Sequence, residues 1–186
     1  VALLLINNGA DLNAVNKDGN TALTWACGKN LTEVALQLIN NGADLNAMGK
    51  DGRTALMLAC SDGHAEVVYL LINEGTDLNA VNKDGKTSLT LACSNGHAEV
   101  ALQLINNGAD LNVVDENGNT ALMVVCNKGS SEVAFAIINK GADLNTTNKD
   151  GKTALMLAYM KDHCIVAALL INNGADLNAV NKDGNT

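Results

Sequence analysis

Residues 83–115 read K-D-G-K-T-S-L-T-L-A-C-S-N-G-H-A-E-V-A-L-Q-L-I-N-N-G-A-D-L-N-V-V-D, and the rest of the chain consists of copies of this stretch. The tripeptide at its start, Lys-Asp-Gly or once Glu-Asn-Gly, returns every 33 residues without insertion or deletion. A fixed period of this kind indicates stacked structural repeats more strongly than any local propensity does. We therefore expect a single array over residues 1–186. Its full copies are 17–49, 50–82, 83–115, 116–148 and 149–181, and its partial copies are 1–16 and 182–186.

One copy predicts two short helices followed by a hairpin. Thr87 is a good N-cap, because its hydroxyl can accept a hydrogen bond from a free N–H group of the first helical turn. Apolar residues then follow at helical spacing, and Gly96 ends this first helix because glycine enters the left-handed region without a steric penalty. A second helix is predicted from Ala98 to Asn106, with Gly108 as its stop. The segment after it is extended as far as an Asn-Gly or Asp-Gly turn, which predicts a short β-hairpin.

The pattern D-G-x-T-A-L-x-x-A-C-x-x-G-H-x-E-V-x-x-x-L-I-N-x-G-A-D-L-N-A resembles the ankyrin repeat over the whole chain. This resemblance implies an all-α solenoid with short β-hairpin loops, curved so that hairpin tips and first helices form a concave binding face. The chain departs from the usual Thr-Pro-Leu-His of that family, since it contains no proline. Alanine or serine takes the proline position, and alanine is the best helix former, so the helix should survive.

Composition excludes several classes of function. The net charge is −8, the pI is about 4.7, and aromatic residues make up only 2 % of the chain. Nucleic acids need clustered cations or stacking platforms, so we expect no nucleic-acid partner. The chain has no run of 18 apolar residues, so we expect no membrane span. The cysteines are expected to be reduced thiols, which predicts an intracellular, cytoplasmic protein.

Four cysteines recur at the repeat interval and invite a disulfide or metal interpretation. Equivalent positions in stacked helices lie roughly 8–10 Å apart. A disulfide needs Cα atoms within about 7 Å, and zinc needs ligands that converge on one centre. We therefore interpret the column as small buried residues where helices pack closely. Its members are Cys27, Cys60, Cys93 and Cys126.

Histidines and aspartates form two more columns. A histidine after the turn between helices could serve a metal or acid–base site. The resemblance instead implies that it bonds backbone of the neighbouring loop. The aspartate of each G-A-D-L-N or G-T-D-L-N segment could belong to a catalytic pair, but one carboxylate per repeat is typical of loop architecture that bonds local N–H groups. No hydrolase elbow, P-loop or zinc-protease motif occurs, so we expect neither enzymatic activity nor a cofactor.

The resemblance places partner contacts on the tips and on the exposed ends of the first helices. Trp25 holds an apolar consensus position, so we expect it in the core, with a binding anchor as the alternative. An apolar row beside the tips predicts packing between hairpins; it comprises Val15, Met48, Val81, Val114 and Val180. The candidate partner-binding residues are Asn20, Lys29, Arg53, Asp62, Lys86, Asn95, Asn119, Lys128, Lys152 and Lys161.

Three functions are compatible with this pattern. The leading hypothesis is a non-catalytic module that binds another protein on the concave face. The second is a structural, self-assembling scaffold or spacer, which the near-constant tips favour; self-association would use the uncapped ends or the lateral faces. The third is the targeting arm of a larger protein with a catalytic domain elsewhere. Since neither end carries a polar capping repeat, we expect the sequence to be part of a longer array.

Overall fold

A computed structural model describes residues 8–186, and within that range the chain forms ten α-helices arranged as five consecutive pairs. The helix predicted for the partial copy at 1–16 begins outside the described residues. The first helix of each pair has seven or eight residues and the second has nine. The pairs are α1 Ala22–Gly28 with α2 Thr32–Asn40, α3 Ala55–Asp62 with α4 Ala65–Asn73, α5 Ser88–Asn95 with α6 Ala98–Asn106, α7 Ala121–Lys128 with α8 Ser131–Asn139, and α9 Ala154–Met160 with α10 Cys164–Asn172.

The predicted helix limits hold because the predicted caps form. The Thr87 hydroxyl accepts a hydrogen bond from the Thr90 N–H at 3.2 Å, and Gly96 closes α5 in the left-handed region at φ 79°. The equivalent threonine caps the first helix in all four remaining pairs. In the first and fifth copies, Asn30 and Asp162 keep the left-handed turn at φ 55° and 60°. These two residue types tolerate positive φ better than other non-glycine residues do.

Two layers of helices enclose one continuous apolar core. Each helix packs against its partner and against the equivalent helix of the next pair, so the core runs along the stack from Leu23 to Leu170. First helices of neighbouring pairs pack more closely against each other than second helices do. Because a stack bends toward its more closely spaced layer, the first helices lie on the inner, concave side and the second helices on the outer side.

The loops correct one sequence-based expectation. No residue of 8–186 is in a β-strand, so the predicted β-hairpins are tight turns without strand pairing. In one such turn the Gly85 N–H donates to the Asn82 carbonyl, and the Asn82 N–H donates to the Lys86 carbonyl, both at 3.0 Å. Each turn also holds the next one, since the Lys83 N–H donates to the Asp51 carbonyl at 3.1 Å. The equivalent bond recurs between all neighbouring tips and is 2.9–3.1 Å long.

Candidate functional site

The six turns from residues 16–20 to 181–185 form a regular row of tips along the array. In most tips, the first side chain holds the turn closed: the Asn82 Oδ1 atom accepts the N–H groups of Asp84 and Lys86 at 3.0 and 2.9 Å. Asn16, Asp115, Asn148 and Asn181 do the same in their own turns. Gly49 occupies this position in the second tip and has no side chain to offer. The tips are therefore held by local and cross-repeat bonds together.

The aspartate column has the local role predicted for it, and an asparagine column beside it joins the repeats. The Asp110 Oδ1 atom accepts the Asn112 N–H at 2.9 Å, and the Asn112 Oδ1 atom accepts the Asp143 N–H of the next copy at 2.9 Å. This alternation runs unbroken from Asp11 to Asn178. Bonds to the Asn145 N–H and the Thr146 hydroxyl lower the pKa of Asp143. The column is structural, since its carboxylates lie one per repeat and face backbone.

The histidines bond the neighbouring copy's backbone in two of three cases. The Nε2 atom of His97 lies 3.0 Å from the Ser61 carbonyl oxygen, and that of His163 lies 3.3 Å from the equivalent oxygen of Asn127. The ring of each histidine covers a turn glycine of the preceding copy. In residues 8–186, the His64 ring makes no such bond. Its preceding turn residue is Asn30, so this turn carries a side chain where the other two histidine rings cover a glycine.

The ten candidate binding residues fall into two groups. Those at the tips are half-buried beneath the turns, and those at the ends of the first helices are exposed. Some of them have structural contacts: Asn95 donates to the Ser61 carbonyl at 2.8 Å, Asn119 accepts from Asn148 at 2.9 Å, and Lys152 pairs with Asp150 at 3.8 Å. The half-buried group is Asn20, Arg53, Lys86, Asn119 and Lys152; the exposed group is Lys29, Asp62, Asn95, Lys128 and Lys161.

Two apolar features are exposed, against expectation. Trp25 is 56 % exposed, whereas the equivalent Leu91 is 5 % exposed. The reason lies in the stacking direction, because the side chain at this position packs against the first helix of the preceding copy. Leu58, the equivalent residue of the next copy, lies against Gly28 of α1. Residues 8–21 contain no first helix for Trp25 to contact. The row beside the tips is likewise exposed rather than packed between turns; it is Val15, Met48, Val81, Val114 and Val180.

The four repeated cysteines are free thiols buried in the core, as the packing interpretation predicted. Burial raises the pKa of Cys27, Cys93 and Cys126 to about 12, because a thiolate would lose its hydration there. The pKa of Cys60 is raised by the same cause. Such thiols are poor nucleophiles near neutral pH. Cys164 differs from them, since it is exposed at the start of α10.

The two sides of the array differ in charge: the outer side is acidic, whereas the inner helices and tips carry both signs. The outer segments, which we define as the second helices with the loops up to the tips, are residues 32–48, 65–81, 98–114, 131–147 and 164–180. Lys140 is their one Lys or Arg. Their acidic residues are Glu33, Asp44, Glu66, Glu74, Asp77, Glu99, Asp110, Glu132, Asp143 and Asp176. The cations of the inner helices and tips are Lys17, Lys29, Lys50, Arg53, Lys83, Lys86, Lys128, Lys149, Lys152, Lys161 and Lys182.

Metal-binding clusters and membrane-spanning helices are both absent from residues 8–186. No cluster of three or more His, Cys, Asp or Glu side chains there has the arrangement of a metal site. None of the ten helices combines the length and the apolar character needed to cross a bilayer. The arrangement that remains is an extended surface of regularly spaced side chains.

Stacked helix pairs with an ordered row of tips define a repeat solenoid. The family described as "Ankyrin repeats (3 copies)" matches residues 29–115 and 103–181, and the one described as "Ankyrin repeats (many copies)" matches residues 1–36. The chain belongs to the ankyrin repeat family. Ankyrin repeats are generally protein–protein interaction modules and are typically non-catalytic. A search of curated proteins gave no match.

Sequence reasoning missed the asparagine column and the division of charge. Both carry a signal in the sequence, because the asparagine of G-A-D-L-N recurs as regularly as the aspartate before it. The signal for charge is that every outer segment except the one with Lys140 lacks Lys and Arg. Neither pattern could be interpreted before it was known which segments face which side.

Proposed function

We propose that the array binds another protein along its inner side and tips, through side chains displayed at the repeat interval. The observation that carries this proposal is the chain of tip-to-tip backbone hydrogen bonds, 2.9–3.1 Å long, from Asp18 to Lys182. These bonds fix the spacing of the exposed lysines before a partner arrives. A surface that is ordered in advance loses little conformational entropy on binding.

The chemistry of this surface favours a partner that carries both acidic and apolar side chains. The exposed ends of the first helices present Lys29, Lys128 and Lys161, with Asp62 as the one acidic residue among the exposed candidates. The exposed row that includes Val81 and the other apolar residues lies beside the tips. Aspartates alternate with lysines at most tips, which disfavours a polyphosphate backbone. The buried thiols fit a reducing, intracellular compartment.

A peptide-display selection on the chain, followed by calorimetry with the selected peptides, tests this proposal. We expect Lys128→Glu to lower the affinity for the selected peptides about tenfold, or by about 1.4 kcal/mol, because it reverses a charge that the partner contacts. The matched control is Lys140→Glu, which reverses the one cation of the outer segments. Equal effects of the two variants, or none from either, would refute an inner-face site.

A scaffold role is the second candidate, and the near-constant tips favour it, since five of the six carry Lys-Asp-Gly. Light scattering of the chain beside a variant with a polar helix added at each end separates the two roles. If the capped variant still grows in mass with concentration, lateral faces drive assembly, and the scaffold role is favoured over partner binding. A role as the targeting arm of a larger protein is compatible with both partner binding and scaffolding.

A further inference from the structure

An exposed apolar row runs along the outer side of the array. It consists of the fifth residue of each of the first four second helices: Leu36, Tyr69, Leu102 and Phe135, which we call the outer stripe. Tyr69 is 62 % exposed and Phe135 is 54 % exposed, while the two leucines are half-buried. The core is complete beneath them, since Val68, Leu71, Ala134 and Ile137 are its buried members from the same helices. The stripe is therefore available for contact with another molecule.

The geometry of the outer stripe is regular because the helices that carry it pack side by side in chain order. Equivalent residues on packed helices lie about 8–10 Å apart, so four of them span roughly 25–30 Å. Tyr69 and Phe135 are more than half exposed, so no described residue covers them in the fold. Contiguous apolar surface of this extent on a folded chain is typical of an interaction site.

Acidic side chains follow the stripe on one flank. Three positions before each stripe residue, and thus on the same helix face, lies an exposed glutamate. Lys140 is the one cation of the surrounding segments. The glutamates are Glu33, Glu66, Glu99 and Glu132. An apolar row beside an acidic row complements an apolar row beside a basic one.

We propose that the outer stripe and its glutamates bind an amphipathic basic helix of a partner protein. One heptad of an α-helix advances about 10.5 Å, which is close to the distance between neighbouring stripe residues. A helix of about 22 residues, apolar at every seventh position and flanked by Lys or Arg, therefore contacts all four helices at once. A second copy of this array is disfavoured as occupant, because it brings two rows of glutamates together. This site is independent of the inner face and does not rest on the function proposed for it.

The test uses a synthetic peptide of about 22 residues with Leu at every seventh position and Lys or Arg beside it. A second peptide carries Glu in place of each cation. Fluorescence anisotropy measures both against the full chain. We expect the basic peptide alone to bind, and the double variant Tyr69→Ser/Phe135→Ser to weaken it tenfold or more, by about 1.4 kcal/mol. Glu66→Gln/Glu99→Gln weakens it at low salt and less at high salt, because salt screens exposed charges.

The matched control is Trp25→Ser/Tyr159→Ser, which removes two exposed aromatic residues that lie off the stripe. It leaves the peptide affinity unchanged if the stripe is the site. The proposal is overturned by no binding up to about 1 mM, the weakest affinity expected of a specific contact. It is also overturned if the chain binds the acidic peptide as tightly as the basic one. The same holds if the Tyr69→Ser/Phe135→Ser variant binds the basic peptide as tightly as the unaltered chain does. A concentration-dependent dimer that this variant abolishes makes a second copy the occupant and also overturns it.

Discussion

Gly63→Ala and Gly96→Ala are equivalent substitutions in neighbouring copies, yet we expect their costs to differ. Both glycines close a first helix in the left-handed region, at φ 76° and 79°. An alanine in that region costs about 1–2 kcal/mol at either position. A Cβ at Gly63 would lie 2.5 Å from the Nδ1 atom of His97, whereas a Cβ at Gly96 meets nothing within 4 Å. The difference arises because the next copy has Ser130 in place of a histidine.

The additional cost at Gly63 has two parts. The imidazole of His97 must move, which weakens its 3.0 Å contact with the Ser61 carbonyl oxygen. A lost hydrogen bond costs about 0.5–1.5 kcal/mol, and overpacking of a tight contact costs about 1–3 kcal/mol. We therefore expect Gly63→Ala to lower the free energy of unfolding by about 2 kcal/mol more than Gly96→Ala does. For a chain of this size, that corresponds to a Tm roughly 4–8 °C lower.

Urea unfolding of the two variants, with His97→Ser alone and combined with Gly63→Ala, measures this difference and assigns its cause. In the His97→Ser background, Gly63→Ala should cost no more than Gly96→Ala, because the clash is gone. The coupling between positions 63 and 97 should then be about 2 kcal/mol. Equal costs of the two alanine variants, or a coupling below about 0.5 kcal/mol, would show that the histidine ring does not restrict this turn.

Four further outcomes follow from particular residues. Gly49→Asn should raise the free energy of unfolding by about 1 kcal/mol in urea melts, because it restores the side-chain acceptor that closes the other tips and restricts the unfolded chain. The new Cβ would lie 2.8 Å from the Asn20 Oδ1 atom, so the flexible Asn20 side chain must rotate away, which reduces the gain. Asn82→Gly should lower the free energy of unfolding by about 1–2 kcal/mol. Gln103→Leu should stabilise the chain by about 1 kcal/mol, because its buried Oε1 atom has no hydrogen-bond partner, and the equivalent Gln37→Leu should gain less. With a thiol reagent at neutral pH, Cys164 should react at once and the core thiols only through unfolding. The unfolded thiols ionise near pH 8.5 and the folded ones near pH 12. The free energy of unfolding should therefore fall as the pH rises between these values, by about 1.4 kcal/mol per pH unit for each thiol. A free energy of unfolding that does not change over this pH range would contradict their burial. The thiols concerned are Cys27, Cys93 and Cys126.

The helices and caps could be predicted from the sequence because they depend on neighbours within one copy. The second helix of the third copy begins at Ala98 and ends at Asn106, as predicted. Asn30 and Asp162 keep the left-handed turn where glycine is absent, because these residue types tolerate positive φ. The hairpin prediction was wrong in its strands, because each tip is held by side-chain acceptors and by the next tip rather than by a ladder.

The surface was harder to predict, because exposure depends on which copy covers which. Trp25 was expected in the core on the strength of its consensus position, but that position is covered only when a first helix precedes it in the stack. Arg53 and Lys86 were expected as freely displayed tip residues, and the turns half-bury them. Tyr69 lies outside the helical spacing of its buried neighbours Val68 and Leu71, and Phe135 occupies the equivalent position. Their exposure therefore carried a signal in the sequence, but only the structure places them in one row.

The sequence by itself determined the repeat, the two helices of each copy, their caps and the family, since all of these follow from residue types at a constant spacing. The tertiary structure alone decided how the copies face one another. It showed that Asn112 joins its copy to the next, that the His97 ring covers Gly63 of the preceding copy, and that all but one of the Lys and Arg residues lie on the inner helices and tips. The physical reason is that these properties depend on distances between residues about 33 positions apart. Local propensity carries no information about such distances until the helices are packed.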